Sequence, residues 1–227
     1  MTISLCVIAY NEEDTLEHLF MEICNQDYAH DKMEIVLIDS SSTDGTKALM
    51  KLFEQEHRDE FYSIQVLDNP QKILPCGWNV ALSHFSCDII LRVDAHASIG
   101  VDFVSKNVED LKLGEDVVGG YRPNIIQGET PGKKLLLLAE SSMFGSSIAS
   151  YRRNPGKSYV DSVFHGAYRR TVFETVGGYN EYLARTEDNE IHYRMRKAGY
   201  KLCFDPDIIS YQHTRPSLKG MLKQKYA

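Results

Sequence analysis

The 227-residue chain lacks most of the short signatures by which an enzyme announces its chemistry. It has no GxSxG and no HExxH, which removes the serine-hydrolase elbow and the zinc-protease helix. Walker and GxGxxG glycine loops are also absent. A phosphate must then be handled by a metal and basic side chains, which disfavours kinases and dinucleotide dehydrogenases. The five cysteines (Cys6, Cys24, Cys76, Cys87, Cys203) are scattered and form no CxxC pair. An odd, dispersed set reads as reduced thiols in a cytosolic setting, not as a disulfide framework or a zinc site. No run approaches the ~18 apolar residues that cross a bilayer. Positive charge is short: 25 Lys and Arg stand against 32 Asp and Glu, for a net charge of -7. That deficit argues against a broad nucleic-acid surface, which needs a basic field, and leaves room only for a local basic pocket.

What is present is enough for a core: 43% of residues are hydrophobic and 25% charged. The opening "MTISLCVIAYNEE" has a short apolar run but no basic leader and no small-residue cleavage site, so it reads as a first strand. "TLEHLFMEIC" follows, with Leu16, Leu19, Phe20 and Ile23 at helical spacing. "MEIVLID", "YSIQVLD" and "CDIILRV" read as buried strands, separated by the amphipathic "KALMKLFEQEH" and by a helix from about Pro75. Thr43 or Asp44 can cap the helix after "SSSTDGT", where Gly45 gives backbone freedom. This alternation is the mark of βαβ units and a mainly parallel α/β sheet. The second half reads as helix ("VDFVSKNVEDL"), strand ("DVVGGY"), helix ("KKLLLLAESSMFGSSIAS", breaking near Gly145), strand ("SVFHGAYRR"), helix ("TVFETVGG"), helix ("RTEDNEIHYRMRK") and a last strand ("YKLCF"). The basic end, "SLKGMLKQKYA", reads as a solvated helix end, with an anionic membrane surface as the alternative.

In a parallel sheet, ligands bind beyond the carboxyl ends of the strands. Asp39 and Asp94 both sit at such ends, so they are expected to open onto one crevice, with Tyr10, Asn11 and Glu12 reaching it from the first strand. In "RVDAHA", Asp94 and His96 can point the same way and face one cation. A carboxylate and an imidazole suit Mn²⁺, and Mg²⁺ less well. A strand end with a turn-forming aspartate and a surface histidine explains the same letters. In "RTEDNE", Thr186 looks like an N-cap, with Glu187 and Asp188 in the first helical turn. Acids there are favoured by the helix dipole whatever their function, but an adjacent carboxylate pair can also supply a general base. Asp39 can accept from a nucleobase or a ribose, and Asn11 can equally cap a helix. Lys72, Arg92, Arg152, Arg153, Arg169, Arg170 and Arg215 are available for a diphosphate, though each alone reads as a solvated or paired side chain. His165 and His213 fit structural roles as well as ligand contacts, and Trp78 reads as core.

Taken in order, "VIAYNEE", "VLIDSSSTDGT", "GWNVALSHFSCDIILRVDAHA", "FHGAYRRTVFETVGGYNE" and "RTEDNEIHYRMRKAGYKLCFDPD" resemble the family-2, inverting, nucleotide-sugar-dependent glycosyltransferases. "NPQKILPCGWN", "RVDAHA" and "SSMFGSSIASYR" are most similar to the bacterial exopolysaccharide, succinoglycan-type subgroup. The resemblance implies a GT-A fold: a mainly parallel mixed sheet flanked by helices, in a single domain over 1–227. Residues 1–98 form its nucleotide-binding half and 99–227 its acceptor-binding half. It implies that Tyr10 and Glu12 line the nucleotide, that Asp39 reads the base, and that Asn79 belongs with the donor-binding set. Asp94 and His96 match the first and third positions of the DxD element, which holds a divalent metal (Mn²⁺ or Mg²⁺) on the donor diphosphate. Asp188 matches the catalytic base, with Glu187 beside it, and Gly166 and Ala167 match the loop below the acceptor.

His96 stands where an aspartate is usual, and Ala9 where many members carry proline. The implied donor is a UDP-sugar and the implied acceptor a saccharide or lipid-linked hydroxyl. The implied location is cytoplasmic, at the inner face of the membrane, with peripheral association and no nucleic-acid partner. Relatives are expected to continue past the point matching Ala227 into membrane-associated segments. Two rival readings are a sugar-phosphate nucleotidyltransferase, disfavoured by the acidic, glycine-free "YNEED", and a catalytically silent binding module, disfavoured by the retention of Asp94 and Asp188.

Overall fold

The computed structural model describes residues 1–126, 130–141, 156–183 and 185–213. The first half is a βα repeat: β1 (Ile3–Ala9), α1 (Glu13–Cys24), β2 (Met33–Asp39), α2 (Thr46–His57), β3 (Ser63–Asp68), α3 (Leu74–His84) and β4 (Ile89–Asp94). The four strands are parallel, in the order β3-β2-β1-β4. β1 and β2 are buried along their whole length, as continuous apolar runs require when helices cover both faces.

The second half supplies β5 (Ala97–Ile99), α4 (Phe103–Lys112), β6 (Val117–Tyr121), β7 (Asn124–Ile125), α5 (Pro131–Ser141), β8 (Ser158–Val160), β9 (Ala167–Arg169), α6 (Arg170–Val176), α7 (Glu187–Lys197) and β10 (Leu202–His213). The sheet continues past β4 through β9, β6 and β10. β9 runs antiparallel to both β4 and β6, so the sheet is mixed and its two halves share one hydrogen-bonded edge. None of the helices among the described residues is long and apolar enough to cross a membrane.

Two apolar layers follow from the period-two pleat. Leu5 and Val7 of β1 face Leu19 and Phe20 of α1, Phe53 of α2 and Phe103 of α4. Cys6 and Ile8 face the other way, toward Trp78 of α3, Phe173 of α6 and Ile191 and Met195 of α7. The four apolar positions read in the first helix, Leu16, Leu19, Phe20 and Ile23, are all buried.

The second half departs from its sequence reading in two places. Of "SVFHGAYRR" only Ala167–Arg169 is strand; the preceding residues pass through a left-handed His165 at φ 47°. The last strand runs to His213 and carries Pro206 inside it, at the register shift between Asp205 and Ile209, where no ladder hydrogen bond is lost. β6 approaches this bulge closely: a Cβ on Gly120 would lie 1.9 Å from the Ile208 carbonyl oxygen. The expected break near Gly145 and the basic tail lie outside the described residues.

Near its amino end β2 carries a buried charge, Glu34, at 1% exposure. It accepts from the hydroxyls of Ser4, Ser63 and Ser86, the Gln65 amide and the Ser86 N–H. A carboxylate is acceptor-only, so five donors satisfy it without a cation. This cluster ties β1, β2 and β3 together at their amino-terminal end and leaves the carboxyl end for other work.

Candidate active site

At the carboxyl end, register places Ala9 opposite Asp39 and Ile8 opposite Asp94. Both aspartates therefore reach the same edge. Because Ala9 and Ile8 alternate across the pleat, the two point to opposite faces of the sheet, flanking the end of β1. Tyr10 follows β1 and is half exposed. The loop after β1 is locked to the loop after β2. Asn11 Oδ1 accepts the Thr43 N–H at 2.8 Å, and Thr46 Oγ1 accepts the Glu12 N–H at 2.8 Å. Asn11 thus bridges loops, and Glu12 takes the cap position of α1. Asp44 accepts the Thr46 N–H at 3.0 Å, while Gly45 occupies the cap position of α2. Asp39 is 2% exposed and accepts the Ser42 N–H at 3.1 Å.

Among the described residues, five non-glycine residues adopt a left-handed backbone: Asn11, Ser41, Lys72, His165 and Thr186. Asn11, Ser41 and Lys72 follow β1, β2 and β3; His165 packs on the end of β4, and Thr186 opens the helix that docks beside it. Such conformations cost of order 1 kcal/mol or more for residues with a Cβ, and they gather where function shapes the backbone. This clustering marks the edge independently of any motif.

Glu12 and His96 meet directly: His96 Nδ1 lies 3.1 Å from Glu12 Oε1. Glu12 Oε2 in turn accepts from Thr15 Oγ1 at 2.8 Å. The Glu12 hydrogen bond, opposed by burial and aided by Asp94, lifts the His96 pKa above its usual value. Asp94 Oδ2 lies 3.6 Å from His165 Nε2 and 4.0 Å from Arg122 Nη2. Burial pushes the Asp94 carboxyl up, but His165, His96 and Arg122 outweigh it and hold the group well below the usual carboxylate range. His165 Nε2 accepts the Asp94 backbone N–H at 3.1 Å, and its Nδ1 lies 2.8 Å from Ser210 Oγ. Burial lowers the His165 pKa, opposed by the Asp94 carboxylate.

The chemistry of Asp94 and His96, a carboxylate and an imidazole, is that of divalent-cation ligands. A neutral His96 that donates from Nδ1 to Glu12 keeps its Nε2 lone pair free, the carboxylate–histidine pairing that orients metal-bound imidazoles. Among the described residues no group of three His, Cys, Asp or Glu side chains could hold a metal ion. Asp94 and His96 alone could supply only two donors, so the rest of a cation's shell would have to come from ligand oxygens and water.

Asp188 reaches this edge from α7. Its Oδ1 accepts from Arg92 Nη1, a buried guanidinium on β4 that also donates to Tyr179 Oη at 2.8 Å. Arg92 lies 4.1 Å from the Trp78 ring centroid and 5.3 Å from that of Tyr179. Thr186 sits at the cap position, but its φ of 65° is left-handed and its hydroxyl donates to the Arg185 carbonyl, so it caps nothing. Glu187 is 7% exposed. Burial, then the charge of Asp188, raises its pKa, and Asp94 adds to the rise.

Other anticipated residues support the edge from below. Gly166 O accepts the Arg92 N–H at 3.0 Å, and a Cβ on Gly166 would lie 2.5 Å from Tyr168 Oη. Ala167 is fully buried in β9. Asn79 is engaged by the segment after α6: it donates to the Tyr179 carbonyl at 2.9 Å and accepts the Tyr179 N–H at 2.7 Å. Arg169 and Arg170 donate to backbone carbonyls, those of Glu115 and Leu111 and of Cys87 and Phe85. Arg152, Arg153 and Arg215 lie outside the described residues. Arg122, which no motif singled out, is 5% exposed, lies over Phe164 at 3.6 Å and is the cation beside Asp94. His213 is 2.8 Å from Ser98 Oγ.

Beneath Asp188, the buried His192 bridges Ser162 Oγ and Tyr168 Oη, each at 2.9 Å. Burial, only partly opposed by the charge of Asp188, pulls its pKa down to about 4. The unfolded chain therefore binds more protons than the folded one between pH 6.5 and 4, and stability must fall as pH drops through that window. From pH 7 to 4.5 the expected loss from this residue is about 2 kcal/mol. Urea unfolding at the two pH values should show His192→Gln with a correspondingly shallower dependence.

A profile described as glycosyl transferase family 2 matches residues 4–177. The chain belongs to glycosyltransferase family 2. Succinoglycan biosynthesis protein ExoA of Rhizobium meliloti is 30% identical over 85% of this chain and 57% of its own length. A dolichyl N-acetyl-alpha-D-glucosaminyl phosphate diacetamido-dideoxy-glucuronosyltransferase of Methanococcus voltae is 25% identical over 98% of this chain and 70% of its own. The poly-beta-1,6-N-acetyl-D-glucosamine synthase of Staphylococcus aureus is 23% identical over 98% of this chain and 52% of its own. The chain thus spans between about half and 70% of these relatives.

Among solved structures, the mannosyltransferase PcManGT of Pyrobaculum calidifontis, in complex with GDP-Man and Mn²⁺, superposes with a TM-score of 0.68 at 22% identity, over 92% of this chain and 56% of that one. S. aureus TarS with UDP gives 0.69 at 18%, over 95% and 61%. This family-2 chain has the GT-A fold.

Proposed function

We propose that the chain is the GT-A unit of an inverting glycosyltransferase, with Asp188 as general base and a divalent cation held by Asp94 and His96. In this reading residues 1–98 bind the nucleotide-sugar and residues 99–227 shape the acceptor side. One observation carries it. Arg92 grips Asp188 from the same face of β4 that ends, two residues later, in Asp94. An acid from α7 and the carboxylate that ends β4 are thus brought to one face of that strand, which supports a base beside a phosphate-side carboxylate.

Arg92 holds Asp188 Oδ1, and the described residues offer Oδ2 no hydrogen bond. That oxygen takes the proton of the acceptor hydroxyl. The freed oxygen bonds to the anomeric carbon as the carbon–oxygen bond to the nucleoside diphosphate breaks, and the bonding pair leaves with the diphosphate. Attack opposite the leaving group inverts the centre. When bound, the cation supplies Lewis-acid stabilisation of the leaving diphosphate. Tyr10, Glu12 and Asp39 bound the nucleotide side, and Glu12 orients His96 through Nδ1.

Names among the relatives support a polysaccharide or lipid-linked acceptor: one is a succinoglycan biosynthesis protein, one a dolichyl-phosphate-linked transferase, one a poly-N-acetylglucosamine synthase. The GDP-Man and Mn²⁺ of PcManGT and the UDP of TarS support a nucleotide-sugar and a cation. The donor assigned is a UDP-sugar, with the enzyme working at the inner face of the membrane. A thermal-shift screen of UDP, GDP, ADP and CDP, each with and without Mn²⁺, tests the reading. At 100-fold above Kd the ligand adds about 2.7 kcal/mol, which is roughly 5–10 °C for a domain of this size. UDP is expected to raise Tm in Mn²⁺ and far less in EDTA. Four nucleotides without effect in either condition would remove the donor site.

A further inference from the structure

We propose that Arg92 is the positioning residue of the base: it sets the place and rotamer of Asp188 and so tunes turnover without touching the donor. This rests on the reading of Asp188 above. The sequence offered Arg92 as a diphosphate contact; the structure puts it elsewhere.

Three observations carry the inference. First, the start of α7 is not held by its own capping. Thr186 is left-handed, and its hydroxyl is spent on the neighbouring Arg185 carbonyl. A helix start without a cap frays within its first turn, and that turn contains Asp188. Something outside the helix must hold the carboxylate, and Arg92 Nη1 is the group that does. Second, Arg92 is itself held. It is 6% exposed, its guanidinium lies against the Trp78 and Tyr179 rings, and its backbone N–H is bonded to Gly166 O. Third, its second partner is pinned from another helix. Asn79 of α3 bonds both the N–H and the carbonyl of Tyr179, whose phenol accepts from the same Nη1 that grips Asp188. A rigid chain thus runs from α3 through Tyr179 and Arg92 to Asp188.

The geometry also excludes a plain stability role as the whole account. A buried arginine needs a counter-charge, but any acid in the core would serve. This one is paired with a carboxylate whose side chain is 24% exposed at the functional edge. A planar guanidinium fixes orientation as a lysine ammonium cannot.

The test is a double-mutant cycle on the full chain. The probe is whichever of UDP-glucose, UDP-galactose, UDP-N-acetylglucosamine and GDP-mannose gives the greatest wild-type release of nucleoside diphosphate. Arg92→Met is expected to lower kcat by about 30-fold or more, a substantial part of the 10²–10⁴-fold that a general base contributes. The Kd of that nucleotide with Mn²⁺, measured by calorimetry, should stay within about twofold. Arg92→Lys should recover part of the loss. In an Asp188→Asn background, Arg92→Met should cost less than about threefold more, because the positioned group is already gone.

Tyr179→Phe, which removes only a hydroxyl, is expected to lose a few-fold in kcat and nothing further in the Asp188→Asn background. It carries the cycle if Arg92→Met does not fold. Equal losses in both backgrounds, or a loss that appears in nucleotide Kd and leaves kcat alone, would overturn the assignment of Arg92. Full kcat in Asp188→Asn alone would instead overturn the reading of the base.

Discussion

Asp188→Asn should bind nucleotide and Mn²⁺ almost as the native protein does, yet turn over 10²–10⁴-fold more slowly, the range a positioned general base contributes. Asparagine keeps the shape and can still accept from Arg92 through its carbonyl oxygen, so the donor side of the site is left alone. What disappears is the free carboxylate oxygen that takes the acceptor proton. The substitution also leaves Arg92 without its counter-charge, which lowers stability, because removing one member of a buried ion pair is costly. The measurements are therefore kcat with the release of nucleoside diphosphate, calorimetric Kd for UDP with Mn²⁺, and Tm. A large fall in kcat at nearly constant Kd supports the role. A rate within a few-fold of native sinks it, whatever happens to Tm. Glu187→Gln provides the contrast. That neighbour is 7% exposed, so the same change there should move stability more than rate.

Much of this edge was legible in the sequence because its signals are local. The apolar spacing of Leu16, Leu19, Phe20 and Ile23 faces the first helix inward, and the aspartates at the ends of β2 and β4 follow from where buried runs stop. Arg92 escaped for the opposite reason. It stands inside "CDIILRV", a run read as a buried strand, and its partners Tyr179 and Asp188 are 87 and 96 residues away. No window of sequence holds that pairing. Thr186 misled through chemistry that is sound in general: threonine before two acids is a cap signature, yet here the backbone is left-handed. β5, β7 and β8 have three residues or fewer and carry too little periodicity to be seen. Asn79 and Gly166 were marked by resemblance alone. The structure gives each a physical task, a double hydrogen bond to Tyr179 and room for the Tyr168 phenol.

Asp94→Ala should abolish the part of donor binding that depends on the cation, so that the Kd for UDP becomes the same in Mn²⁺ as in EDTA. The argument begins with charge. Native Asp94 stays ionised across any working pH, because His165, His96 and Arg122 surround it and outweigh its burial. Without it, the edge loses the one carboxylate that both Arg122 and His96 act on, and the positive Arg122 makes the remainder a poor seat for a divalent ion. Glu12→Gln probes the same seat from behind. Glutamine's carbonyl can still accept from His96 Nδ1, but the bond loses its charge and the imidazole becomes a weaker ligand. Changes of this kind typically cost 10–100-fold in metal affinity. Titrating Mn²⁺ at fixed UDP should thus rank native protein above Glu12→Gln, and Glu12→Gln above Asp94→Ala, which should show no saturable response. Manganese binding that is equal in all three would place the ion elsewhere, and the Glu12–His96 contact would then be no more than a lock between the loop after β1 and the turn after β4.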